Sequence, residues 1–273
     1  MVGARRRPAA EIPEHIAKPE WSSLLDAVLN VEGSMDDTYR RMYNFSTRNL
    51  GFLAMQGCPV EPIATFKGWQ AVDRQVQKGS SAFYILRPIS IKLDEIDQKT
   101  GENKRLQRFK PVKAIFPISM TEGEPLPEID HPEWSKERAL AALAIREVAF
   151  ESYEGNVQGH SWSRNFAVNP VAKFPQKTLM HELSHIVLSH TVEEAHADYV
   201  NHRGIKEFQA EATAHLVTNE LGLLTPEMAS VSRCYVQSWL EDKTPSDDEI
   251  KGVFRATDEI LAAGRPVEAE VSA

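Results

Sequence analysis

The sequence predicts an α+β protein in two modules. Its first half mixes short helical patterns with β-rich runs and turn residues, whereas its second half is dominated by helical apolar periodicity. Charge divides at the same place: residues 1–120 carry 18 Lys and Arg against 13 Asp and Glu, and the remainder carries 13 against 26. The halves are therefore net +5 and −13 within a chain of −8. A Pro- and acid-rich stretch from Glu122 to His131 reads as the linker between them. The expected boundaries are residues 13–120 and 121–263, with frayed tails at 1–12 and 264–273.

The bounds agree with a folded, soluble protein. The chain has 273 residues, 42% apolar and 26% charged, enough for a buried core. It has no apolar run long enough for a membrane span. Arg5, Arg6 and Arg7 are not followed by an apolar segment, so no secretory signal is expected. Cys58 and Cys234 lack metal-site spacing and read as small buried residues of a reducing compartment, hence a cytoplasmic protein.

The elements follow in order. Glu20 to Leu29 has helical periodicity, and so has Asp36 to Met55, with Arg40, Arg41 and Arg48 along it. Thr65 caps a short helix to Val72. Arg74 to Gly79 is a basic turn. Strands are expected from Ala82, from Ile89 to Ile96 and from Phe109 to Ser119, and Asp97 to Asn103 supplies the turn of a β-hairpin. In the second half, Pro132 to Phe150 reads as a helix. Gly155 to Trp162 reads as irregular, and Asn165 to Pro170 as a short strand. Helices are expected from Pro175 through the motif below, from Glu207 to Leu223, from Thr225 to Leu240, and from Ser246 to about Ala262.

Aromatic residues interleaved with basic ones suit single-stranded nucleic acid, because bases stack on rings while cations follow phosphates. Tyr43, Phe66 and Trp69 are candidate stacking platforms. Arg40, Arg41, Arg48, Lys67, Arg74 and Lys78 are candidate phosphate contacts.

The chemical signal lies in Thr178 to His190, which contains His181-Glu182-x-x-His185, the H-E-x-x-H pattern of zinc peptidases. Residues i and i+4 share a helix face, so His181 and His185 can grip one ion. Glu182 lies about a hundred degrees around the helix and can act on water without being a ligand. Leu179, Leu183, Ile186 and Val187 form the apolar stripe of a core helix. An open zinc site needs one more protein ligand. The next helix offers Glu207, Glu211 and His215 along one face, and Ala210, Ala212 and Ala214 around Glu211 allow close helix approach. His190, His196 and His202 could bind the metal in place of a carboxylate of that helix, and read more simply as surface or outer-shell residues. Glu193, Glu194 and Asp198 read as a solvated turn or as acceptors for a ligand histidine.

Several segments carry a resemblance. Asn44 to Leu50, Ala64 to Trp69, Arg74 to Gly79, Ala82 to Pro88, and the closing stretch Phe109 to Pro127 resemble the N-terminal domain of ArdC-type antirestriction proteins. Relatives of that domain also occur on plasmid primases. Ala210 to Val217 resembles the third-ligand segment of the ArdC C-terminal domain and of the ImmA/IrrE-type metallopeptidases. The resemblance implies single-stranded DNA binding by an N-terminal mixed α/β domain, and a mainly helical, zincin-like, gluzincin-type C-terminal domain. It implies zinc held by His181, His185 and Glu211, with Glu207 as fallback and Glu182 as general base. It also implies a mobile-element protein that protects incoming single-stranded DNA from host restriction. Hydrolysis of a peptide bond in a protein substrate would need an oxyanion donor, for which His160, Tyr199 and His215 are candidates. The alternatives are a repressor-cleaving regulator like the ImmA/IrrE proteins, and a DNA-binding protein whose zinc is structural.

Overall fold

The computed structural model describes residues 12–30, 45–96, 103–126, 134–151, 157–232 and 244–266. Arg40, Arg41, Tyr43 and Cys234 lie outside these, as do the side chains of residues 193–203.

Helices α1 (Glu14–Ala17) and α2 (Trp21–Leu29) open the chain, and α2 buries Leu24, Leu25 and Val28. Of the helix expected from Asp36 to Met55, residues 36–44 lie outside the described residues, and the rest holds α3 (Thr47–Met55). Ser46 is extended, at ψ 145°, and its side chain accepts from the Asn49 amide. A serine that can satisfy an orphan N–H in this way starts helices rather than continuing them.

Next come β1 (Ile63–Thr65), α4 (Phe66–Ala71) and β2 (Arg74–Val76). Thr65 caps α4 as expected, accepting from the Gly68 amide at 3.1 Å. The two strands expected between residues 82 and 96 are one, β3 (Phe83–Ile96), paired antiparallel with β4 (Asn103–Pro117). Pro88 does not break β3, because a proline is tolerated where no ladder donor is needed. The sheet order is β1-β4-β3. Strand β5 (Thr121–Gly123) pairs with β2, so the stretch read as linker begins as a strand.

Helix α5 covers only Lys136–Ala142, capped by Ser135, and not residues 132–150. Ala144 sits at φ 52°, which ends the helix. Leu143 and Ile145 turn into the core, and β6 (Arg146–Glu147) pairs parallel with β8 (Asn165–Val168). Strand β7 (Gly159–Trp162), where irregular chain was expected, pairs antiparallel with β8. Burial of Leu143 and Ile145 and pairing with β8 outweigh the alanine-rich helical pattern.

Helix α6 (Pro175–Val187) has Pro175 in its first turn. Helix α7 (Glu193–Glu220) is longer than expected, since the acidic connector before Gly204 is itself helical. Residues 226–232 are helical, and α8 (Asp247–Gly264) starts with a full capping box between Ser246 and Glu249. One core gathers Leu24, Phe52, Ile63, Ile85 and Ile115 with Phe208 and Val253, joining the two halves of the sequence. Asp258 on α8 ties them again, accepting from the Thr47 amide and hydroxyl at 2.7 and 2.6 Å. A second core packs Met180, Leu183 and Ile186 of α6 against Phe166, Val217 and Ile260. That packing sets the motif helix against α7 and beneath the β6-β8-β7 sheet.

Candidate metal centre

The apolar stripe of α6 faces the second core, which turns His181 and His185 toward α7. Their Nε2 atoms stand 3.1 Å apart, and the rings meet edge to face with centroids 4.8 Å apart. Glu207 Oε2 lies 3.4 Å from His181 Nε2 and 3.8 Å from His185 Nε2. One donor atom from each of these three residues falls within 4.8 Å of the others. Two imidazoles and a carboxylate are the donor set of an open catalytic zinc site.

Glu211, one helical turn further along α7, takes a different place. Its Oε2 lies 3.3 Å from Nδ1 of His181, the nitrogen facing away from the cluster. Its Oε1 pairs with Lys177 Nζ at 2.5 Å, an ion pair with both side chains buried. Burial raises the Glu211 pKa, but the bonds from His181 and Lys177 outweigh it and hold the carboxyl at about 2. Burial likewise lowers the His181 pKa, but Glu207, Glu211 and the charge of Glu182 outweigh it and hold the ring at about 10.

A directed chain supports His185. Its Nδ1 lies 3.0 Å from His190 Nδ1, and His190 Nε2 lies 3.1 Å from Gln209 Oε1. Gln209 Nε2 donates to the Glu249 carbonyl at 2.9 Å. Every role in this chain follows from one choice. With the lone pair of His185 on Nε2, its Nδ1–H donates to His190, and His190 Nε2–H donates to Gln209. On a continuing helix His190 would lie off the face of His185, but α6 ends at Val187. Ser189, at φ 62°, reverses the chain, and the His190 amide donates to the His185 carbonyl at 2.8 Å. His190→Ala is expected to weaken divalent-metal binding about 10- to 100-fold, the usual cost of an outer-shell partner. His190→Asn, which keeps an acceptor, is expected to recover part of that loss. Titration calorimetry of the three proteins checks it, and equal affinities would remove the role.

Glu182 is buried, and with both histidines, His190, Thr191 and Glu207 it lines a cavity of about 380 Å³ whose other wall is β7. Gly159 lets that strand approach. A Cβ there would sit 2.7 Å from Thr178 Cγ2 and 3.0 Å from Glu182 Oε1. His160 stacks on the half-exposed Trp162, with centroids 5.1 Å apart and planes 17° apart. Of the expected oxyanion donors, His160 lines this cavity, whereas the buried His215 does not. Tyr199, His196, His202, Glu193, Glu194 and Asp198 have side chains outside the described residues.

The expected nucleic-acid residues scatter. Trp69 is fully buried and its indole N–H donates to the Phe116 carbonyl at 2.8 Å, so it offers no face to a base. Arg74 is buried too. It donates to Thr121 Oγ1 at 2.9 Å and to the carbonyls of Gly123 and Glu124, stitching β2 to β5. Both expectations are corrected by the same cause: these side chains satisfy backbone groups inside the fold. Arg48 lies 3.3 Å over the Phe109 ring and 5.5 Å from that of Trp21. Phe66, Lys67 and Lys78 are exposed. Sequence reasoning missed Lys177 and Gln209. Lys177 has a signal in hindsight, since it lies four residues before His181 on the same face; Gln209 has none.

No protein-family model matches the chain, and no curated protein does. Solved structures do match. The metal-free crystal structure of the antirestriction protein ArdC from the R388 plasmid aligns over 80% of this chain and 81% of its own, at 18% identity and TM-score 0.44. The Mn(II)-bound crystal structure of that protein aligns over 89% of this chain and 97% of its own, at 15% identity and TM-score 0.51. The chain thus has an ArdC-like α+β fold.

Proposed function

We propose that this chain is an antirestriction-type protein of a mobile element, pairing single-stranded DNA binding with a divalent-metal-dependent peptidase centre. The observation that carries the metal part is the cluster of His181 Nε2, His185 Nε2 and Glu207 Oε2. These three hold the cation. Glu211 and His190 orient the two imidazoles from behind, as outer-shell partners do. Glu207 is the third ligand in this assignment and Glu211 the orienting carboxylate. Zinc suits the donor set. Manganese is the other candidate, being the ion in the R388 ArdC crystal.

A divalent cation bound here supplies Lewis-acid polarisation of a carbonyl and lowers the pKa of water. Glu182 takes a proton from water at its carboxylate and returns it to the leaving amine. The wall formed by His160, Ser161 and Trp162 positions the polypeptide and restricts water. The donors open onto a cavity rather than being closed off by protein, which favours a catalytic over a structural ion.

Calorimetric titration with Zn²⁺ or Mn²⁺ tests the centre. One ion per chain is expected, with about one proton released near pH 7. The sign follows from His181. Its metal-free pKa of about 10 lies above its ordinary 6.5, so the ring is protonated at neutrality and must lose that proton to become a ligand. Affinity should therefore rise about tenfold per pH unit until the pH approaches about 10. A protein that binds no divalent ion at any pH has a different function.

A further inference from the structure

We infer that one face of the β3–β4 ribbon is a docking surface for single-stranded nucleic acid. The inference rests on the nucleic-acid part of the function proposed above. It assigns that binding to residues outside the set the sequence suggested. Pairing places Arg87 opposite Lys110, Ile89 opposite Arg108 and Ile91 opposite Leu106. Strand alternation puts these six on the same face. At its base the ribbon is anchored in the core by Ile85, Leu86 and Ile115. Along the paired segment from Arg87 to Lys92, the described side chains of both strands are exposed.

Two features of this face call for a ligand. Ile89, Ile91 and Leu106 are 38–39% exposed side by side, apolar surface that the fold leaves in water. Arg87, Arg108 and Lys110 form no ion pair with a described residue; the ribbon's ion pair, Lys104 with Glu95, lies near its tip. Strand β4 thus offers two cations two residues apart, about 7 Å along the strand, with a third directly across. The chain as a whole is net −8, so a locally basic ribbon steers a polyanion to this place.

An unpaired strand matches both features. Its phosphates meet the cations, and its unstacked bases cover the aliphatic side chains. A duplex keeps its base faces stacked inside and would leave the isoleucines and the leucine in water.

The test is fluorescence anisotropy of the full chain with labelled oligothymidylate across a salt series. The triple variant Arg87→Gln, Arg108→Gln, Lys110→Gln is expected to bind about tenfold or more weakly at low salt. Its log–log salt slope should fall by about 2, since each lost single-strand phosphate contact removes about 0.7. Ile89→Ser, Ile91→Ser, Leu106→Ser should weaken binding with the slope unchanged. Lys136→Gln, Lys173→Gln, Lys251→Gln, exchanged in the other half, should bind as wild type does. Circular dichroism and melting temperature check that each variant is folded. A ribbon variant that binds like wild type overturns the inference and leaves the proposed function standing. Tighter wild-type binding to duplex also overturns the inference, as does a ribbon needed for capture of anionic vesicles or polyglutamate but not for capture of oligonucleotide. Wild-type protein that binds no oligonucleotide removes the proposed DNA-binding function itself.

Discussion

Glu207→Gln is expected to abolish tight binding of a divalent metal, whereas Glu211→Gln should weaken it only about 10- to 100-fold. The difference follows from where the two carboxylates stand. Glu207 Oε2 faces both Nε2 atoms, at 3.4 and 3.8 Å. Glu211 faces the opposite nitrogen of His181 and the Lys177 ammonium. Removing a ligand deletes a bond to the ion, while removing an orienting partner only loosens the ring that makes one. Stability separates the two variants in the other direction. Glu211→Gln strands the buried Lys177 charge, a loss on the order of 3–5 kcal/mol when one member of a buried pair is deleted. Lys177→Met with Glu211→Gln removes both charges and should restore the fold without restoring full affinity. Metal content after dialysis, set beside thermal melting, reads both effects. If Glu211→Gln empties the site and Glu207→Gln does not, the ligand is Glu211, as the family resemblance implies.

Glu182→Gln is the second large effect. It should lower metal-dependent hydrolysis of a denatured protein such as casein by about 10²- to 10⁴-fold, the range of a lost general base. Metal affinity should stay close to wild type, because Glu182 contributes no atom to the donor cluster. Glutamine keeps the shape beside Gly159, where the strand leaves little spare room. Retained turnover would assign the proton transfer to another group. Loss of metal together with activity would make Glu182 a structural partner of the site.

Much of the centre was legible from local spacing. His181 and His185 are four apart, and a four-residue step on any helix delivers two rings to one side. Pro175, the Leu183 and Ile186 stripe, Thr65 and the helix start at Ser246 likewise announced elements through short-range rules that distant contacts did not overturn. Local rules failed where burial or pairing competed with propensity. The alanine-rich run after Ala142 gave up helix so that Leu143 and Ile145 could enter the core and Arg146 could join a strand. Trp69 and Arg74 had the composition of a nucleic-acid surface, yet their polar atoms satisfy the carbonyl groups of other segments. Composition does not tell a solvated arginine from a buried one.

By itself, then, the sequence determined that His181 and His185 share one side of a helix with Glu182 beside them, because that depends on the fixed geometry of a single helix. Only the tertiary structure decided which acid of α7 stands with the imidazole Nε2 atoms, and that His190 and Gln209 complete the support of His185. Those outcomes depend on how two helices rotate against each other and on where a helix stops. Long-range packing sets both, and no spacing within one segment records them.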